Sequence, residues 1–188
     1  MVGLSDPWLV SRLRRGDEEA YRELVRRFHA GVYGYLRQMG ADAALAEDLT
    51  QETYVRVWQG IDTLRRPASL RSWLLTIARN EYLQVWRRKR PVLDGTGEPP
   101  DPPDPSPGAL DLLVEGDRDA RLRRLVSALE APFGEAIVLH YFQGLSLRQV
   151  AAVQGIPVGT AKSRVHHALD RLRTCLQEEG VSHVRPGA

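Results

Sequence analysis

Residues 144–173, GLSLRQVAAVQGIPVGTAKSRVHHALDRLR, constrain this chain more than any other stretch, because their punctuation marks out two short helices joined by a tight turn. Ser146 is placed to cap the first helix with Gln149 three residues on, and Leu145 and Val150 flank that start at the spacing of a hydrophobic staple. Gly155 supplies the stop, and Pro157, which lacks an N–H, cannot continue the same helix. Beyond it Ala161, Val165, Leu169, Leu172 and Leu176 recur at helical spacing and leave Thr160, Ser163, His167 and Arg171 on the opposite face. This is the punctuation of a helix-turn-helix, whose second helix is a candidate reader of DNA. An ordinary helical hairpin with a solvated polar face satisfies the same residues, so the segment alone leaves both readings open.

The chain's 188 residues hold one ordinary domain or two small ones, each near the lower size limit for an independent core. Arg makes up 24 of the 26 basic residues, a skew suited to phosphate contacts and equally expected of a genome rich in G and C. A single cysteine, Cys175, excludes an internal disulfide; with no membrane-spanning apolar run and no signal peptide, it leads us to expect a cytoplasmic protein without membrane insertion. Scattered histidines without cysteine partners do not make a zinc site, and adjacent His166 and His167 point to different sides of a helix. No metal or cofactor is therefore expected.

Charge is unevenly distributed. Residues 1–90 carry 16 basic and 11 acidic side chains, residues 91–117 carry 7 acidic and none basic, and residues 118–188 carry 10 basic and 6 acidic. Two basic blocks around an acidic spacer suggest two nucleic-acid-facing domains separated by a segment that nucleic acid repels. Residues 91–109, PVLDGTGEPPDPPDPSPGA, hold 7 of the 12 prolines and almost no apolar side chains, which is too little to fold alone. They read as an extended linker.

The N-terminal block reads as helical throughout. Asp6-Pro7 opens a short helix that Gly16 closes, and Asp17 caps a longer one with Tyr21, Leu24, Val25, Phe28, Val32, Leu36 and Met39 as its apolar stripe. Gly40 ends that helix, and Asp42 caps another running to about Trp58, with Leu45, Leu49, Thr53 and Val57 on one side and Asp48, Gln51, Glu52, Val55 and Gln59 on or near the other. A last helix starts near Ser69 and runs to Pro91, with Trp73, Leu74, Ile77 and Ala78 able to pack inward. Arg71, Arg79, Asn80, Trp86 and the closing basic run with Arg87 and Arg88 remain available to a partner. No segment alternates with period two, so no strand is expected.

Aromatic and basic residues interleave along this last helix: Arg71, Trp73, Arg79, Tyr82, Trp86, Arg87 and Arg88. Unpaired DNA is held in this manner, with bases stacked on aromatic faces while cations track the phosphates. Trp73, at helical spacing with Leu74 and Ile77, is equally a core residue. The basic terminus also complements the helix dipole without binding anything.

The runs AEDLTQETYVRVW (46–58), SLRSWLLTIARN (69–80) and GLSLRQVAAVQGIPVGTAKSRVHHAL (144–169), in that order and divided by an acidic linker, resemble the bacterial extracytoplasmic-function (group 4) sigma factors. The resemblance covers most of the chain, with region two over about residues 21–91 and region four over about 118–176. It implies a subunit that binds core RNA polymerase, directs it to promoters and helps to open the –10 DNA. By the same resemblance Asp48, Gln51, Glu52, Val55 and Trp58 match the helix that docks on the polymerase clamp coiled coil. Carboxylates mixed with exposed apolar groups suit a protein partner better than DNA, although a solvated acidic face has the same composition. Residues 62–73 and the helix bearing Arg71, Trp73, Arg79, Asn80, Trp86, Arg87 and Arg88 match the –10 element reader, where an extruded base is captured. Thr160, Lys162, Ser163, Arg164, His166 and His167, with Arg171 on the same face, match the –35 recognition helix. The implied partners are core polymerase through its clamp coiled coil and flap, promoter DNA, and an anti-sigma factor as a candidate regulator.

Leu70 stands where such sequences often have Phe, and His167 with Ala168 where Arg is frequent, so fewer fixed-charge contacts are expected there. Neither an acidic N-terminal inhibitory domain nor a helical third region is expected, so restraint must come from elsewhere. A stand-alone helix-turn-helix regulator would explain the end of the chain, but residues 1–90 offer neither a ligand-type mixed sheet nor a sustained heptad. A nuclease using Asp48 and Glu52 would need carboxylates from further elements, and no Gly-rich phosphate loop is present. The expectation is an all-α, non-enzymatic factor: a region 2 domain over residues 1–91, a flexible Pro-rich acidic linker over 92–117, a region 4 domain over 118–176 and a flexible tail over 177–188.

Overall fold

The computed structural model describes residues 6–89 and 124–182, and the expected linker lies outside the described residues. Every element among the described residues is helical. The first half contains α1 (Asp6–Leu13), α2 (Glu18–Gln38), α3 (Ala43–Gly60) and α4 (Leu70–Lys89), with short 3-10 turns at Ile61–Thr63 and Pro67–Ser69 between the last two. The second half contains α5 (Ala131–Ile137), a π-helical turn at Val138–Phe142, α6 (Leu147–Gln154) and α7 (Val158–Ser182).

Helix starts follow the side chains expected to cap them. The Asp17 carboxylate accepts from the Ala20 amide at 3.1 Å and that of Asp42 from the Leu45 amide at 2.8 Å, each satisfying an amide that the helix leaves unpaired. Asp17 also pairs with Arg12 at the end of α1. At α6 the full capping box forms between Ser146 and Gln149, while Leu145 and Val150 are buried as the staple requires. Gly155 then takes the left-handed conformation, φ 68°, that reverses the chain into α7.

Apolar faces place the helices. The α2 stripe of Leu24, Phe28, Val32 and Leu36 is buried together with Tyr35, which the expected stripe omits. It packs on α3 and α4 through Leu49, Val57, Leu70, Leu74, Leu75 and Ala78. Thr50 and Thr53 are buried without loss, because their hydroxyls donate at 2.7 Å to the carbonyls of Ala46 and Leu49 a turn earlier. In the second half Ala161, Val165, Ala168 and Leu172 seat α7 on α5 and α6. Leu176, expected on that stripe, is 41% exposed, and α7 extends to Ser182.

The two halves do not stand apart. Helix α6 packs on α4, the π-helical turn reaches α2, and buried side chains of both halves form one apolar cluster. At Gly31 in α2 an added Cβ would lie 3.1 Å from the Gln143 amide oxygen; glycine there lets the Gln143 Nε2 donate to the Gly31 carbonyl at 3.1 Å. Arg71 Nη1 donates to the Gln143 carbonyl at 2.7 Å across the same boundary.

Candidate polymerase and promoter-DNA interfaces

On α3 the buried positions Ala46, Leu49, Thr53 and Val57 face the bundle and turn Asp48, Gln51, Val55 and Trp58 outward. Val55 and Trp58 are 44% and 41% exposed, which is a large apolar display for a helix face that also carries carboxylates. Trp58 is held edge-on by Tyr21, centroids 5.2 Å apart, and Tyr21 in turn meets Tyr54 edge-on at 6.5 Å. Glu52 pairs with Arg56 at 2.9 Å, and Gln51 donates to Glu47 at 3.3 Å. All five residues expected to meet polymerase thus lie on one stretch of helix, with Trp58, Glu52 and Gln51 held by neighbouring side chains.

The residues expected to meet the –10 element are divided among different environments. Asn80, Arg87 and Arg88 are exposed on α4. Trp73 and Trp86 are partly buried against the core, and Tyr82 is fully buried with its hydroxyl donating to the Met39 carbonyl. Burial, with a further push from the Glu135 charge, takes the Tyr82 phenol up to about 12 against the opposing hydrogen bond from Trp86. Arg71 sits over the Phe28 ring, 5.8 Å from its centroid, while it bonds the second half. Arg79 is mostly covered in this arrangement: its side chain is 19% exposed and its Nε donates at 2.8 Å to Glu135 of α5.

Glu135 was not among the expected site residues, and it sits at the centre of the boundary. Its side chain is 3% exposed, so an unpaired carboxylate there would carry a desolvation cost of several kcal/mol. Three donors meet it. Tyr35 OH at 2.6 Å and Arg79 Nε at 2.8 Å share Oε1, and Gln154 Nε2 reaches Oε2 at 2.9 Å. Burial first, and then the neighbouring carboxylate as charge and hydrogen-bond acceptor, hold the Tyr35 phenol well above its ordinary range. Burial pulls Arg79 down, but Glu135 and Tyr35 more than reverse this, so Arg79 is raised and stays charged. One signal in the sequence pointed here: Glu135 is the lone acid in FGEAIVL, and a charge inside an apolar helix face needs a partner.

On α7 the residues expected at the –35 element are spread over the surface left by the buried Ala161, Val165, Ala168 and Leu172. Thr160, Lys162, Ser163, His166 and His167 are exposed, with Ser163 donating to the Gly159 carbonyl at 3.4 Å and His166 lying 3.3 Å from Asp170. His167 meets the Phe133 ring at 6.2 Å. Arg171 pairs with Glu130 at 2.8 Å, which turns it toward α5. Arg164 donates to the Gln154 Oε1 at 3.2 Å, so the amide that Glu135 orients also holds an arginine of the candidate reading helix.

Comparison with known proteins places this arrangement. Residues 24–92 match Sigma-70 region 2 and residues 119–172 match Sigma-70, region 4. The chain is 37% identical over 163 residues to the ECF RNA polymerase sigma factor RpoE of Cereibacter sphaeroides, covering 84% of this chain and 86% of that protein. It is 36% identical over 182 residues to the ECF RNA polymerase sigma factor SigL of Mycobacterium tuberculosis, covering 92% and 98%. Among solved structures, CnrH in complex with the cytosolic domain of CnrY superposes with a TM-score of 0.67 at 25% identity, covering 92% of this chain and 97% of that one. RpoE with the anti-sigma factor NepR from Bartonella quintana gives a TM-score of 0.63 at 29% identity, covering 84% and 96%. Matches to region 2 and region 4 over the two halves, with 37% and 36% identity to sigma factors covered over most of their length, make this chain a member of the extracytoplasmic-function sigma factors of the sigma-70 family.

Proposed function

We propose that this sigma factor docks on core polymerase through Asp48, Gln51, Glu52, Val55 and Trp58 of α3, reads and opens the –10 element with α4, and reads the –35 element with the exposed start of α7. The observation that carries the assignment is the outward display of Val55 and Trp58 among carboxylates, 44% and 41% exposed, on a helix whose opposite side is fully buried. Acidic groups there repel phosphates and favour a protein surface, whereas α4 and α7 present Arg87, Arg88 and Lys162 to solvent. The domain limits follow as a region 2 half ending near residue 91, a tethering linker, and a region 4 half from about 118.

The chain itself catalyses nothing in this reading; polymerase supplies the chemistry, and the sigma factor supplies binding energy and strand capture. We place it in the cytoplasm, where its polymerase is, and among the described residues no helix is long and apolar enough to cross a membrane. One of the structural relatives, RpoE of Bartonella quintana, is held by an anti-sigma factor, which supports a protein regulator of that kind for this chain. A stand-alone regulator is not favoured, because the match extends over the region 2 half. In vitro transcription from a genomic library with core polymerase plus this protein tests the assignment. Start sites sharing –10 and –35 sequences, used less efficiently on Lys162→Ala or Trp58→Ala, are expected. Sequence-specific duplex binding by the isolated chain at physiological salt, with no polymerase-dependent start sites, would remove it.

A further inference from the structure

We propose that Glu135 latches the two halves of the polymerase-free chain together and so withholds Arg79 from promoter DNA; the inference rests on the reading of α4 as the –10 element helix. Both halves contribute to the latch, because Tyr35 and Arg79 come from α2 and α4 while Glu135 and Gln154 come from α5 and α6. A guanidinium whose Nε–H is given to a carboxylate at 2.8 Å cannot give the same hydrogen to a base or phosphate, and the carboxylate beside it repels phosphate. The second oxygen of Glu135 binds Gln154, whose own oxygen accepts from Arg164. One buried carboxylate therefore connects an arginine of each candidate DNA-reading helix.

The latch is suited to release. A buried ion pair roughly breaks even against its separated, hydrated partners, so it selects one arrangement without adding much stability. Two further polar contacts cross the boundary, Gln143 to the Gly31 carbonyl and the charge-assisted Arg71 to the Gln143 carbonyl, and opening must also part the apolar cluster that the halves share. The α3 face with Val55 and Trp58 stays exposed while the halves are closed, so polymerase can engage before the latch opens. Differential affinity of polymerase for the open chain then shifts the population.

The test uses the full chain. Glu135→Gln keeps an acceptor for Tyr35 but removes the charge that holds Arg79. Small-angle scattering of the free variant should show a larger maximum dimension, and fluorescence anisotropy should show roughly tenfold tighter binding to a –10 non-template oligonucleotide, as expected when the competent fraction rises. An unchanged dimension or an unchanged affinity in the folded variant overturns the latch.

A second arm does not depend on how that variant folds. In a Cys175→Ser background, Gly31→Cys and Gln143→Cys bridged by a cleavable bis-maleimide lock the halves closed. The locked chain should bind core polymerase yet initiate poorly, and cleavage should restore initiation. Initiation by the locked chain equal to that of the cleaved chain overturns the proposal. The reading beneath it fails separately: Arg79→Lys holoenzyme that opens the –10 element normally removes the role of Arg79, whereas failure of the latch alone leaves that defect in place.

Discussion

Arg79 and Glu135 meet at 2.8 Å across the boundary between the two helical halves, with side chains only 19% and 3% exposed. The pair joins positions 56 residues apart, and Tyr35 joins the same carboxylate from 100 residues away. A group so placed is costly to leave alone, whereas the pair as a whole is close to neutral.

That asymmetry predicts the outcome of two substitutions. Arg79→Ala strands a buried carboxylate and should destabilise the chain by about 3–5 kcal/mol. Replacing the cluster together, Arg79→Met with Glu135→Leu and Tyr35→Phe, should recover most of that loss. Urea unfolding of the single and combined variants decides it; equal losses in both would mean that the charge contributes little.

Alkaline pH should weaken the fold through the same cluster. Tyr35 is held well above the ordinary 10.0 and Tyr82 is raised to about 12, in both cases by burial first. Both phenols keep their protons longer in the folded chain than in the unfolded one. The stability they contribute is therefore complete below about pH 10 and is lost as pH rises through the folded values. Phenolate absorbance and unfolding midpoint, followed together, should change between about pH 10 and 12, and Tyr35→Phe should flatten the decline.

Tyr54 offers an opposite case. Its side chain is 4% exposed, and its hydroxyl has no hydrogen-bond partner among the described residues. Burial, and then the neighbouring Tyr21, push that phenol above its ordinary value. Tyr54→Phe removes an unsatisfied polar atom while keeping the ring against Tyr21, so it should leave stability unchanged or raise it by about 1 kcal/mol. Thermal unfolding measures this; a clear loss would reveal a partner for the hydroxyl.

The two exposed faces should fail independently. Trp58→Ala should weaken core polymerase binding by about 2 kcal/mol, as the loss of an aromatic anchor at an interface does, with promoter preference unchanged. Ser163→Ala should cost about 1–3 kcal/mol of discrimination at one –35 position if it contacts a base, with polymerase affinity unchanged. Lys162→Ala should weaken all sequences alike and flatten the salt dependence. Fluorescence-detected polymerase binding and transcription from –35 variants separate the outcomes.

Most of the secondary structure was legible because local chemistry dictates it. Asp17, Asp42 and Ser146 cap the helices they precede, and Gly155 turns the chain between α6 and α7, since each acts within a few residues of its own position. The outward face of α3 was legible for the same reason, as Leu49, Thr53 and Val57 recur at helical spacing and leave Asp48, Gln51 and Val55 outside, whereas Trp58 was placed there only by the family resemblance.

What a residue such as Arg79 does was not legible from spacing. On α4 it stands beside exposed Asn80, and helical periodicity cannot tell which of two polar neighbours a distant helix will cover. The sequence by itself determined where helices begin, which face each buries and the order of the three motifs, because these depend on contacts along one helix. Only the tertiary structure decided that Glu135 gathers Tyr35, Arg79 and Gln154, because a buried carboxylate must find its donors wherever the packed chain brings them within hydrogen-bonding reach.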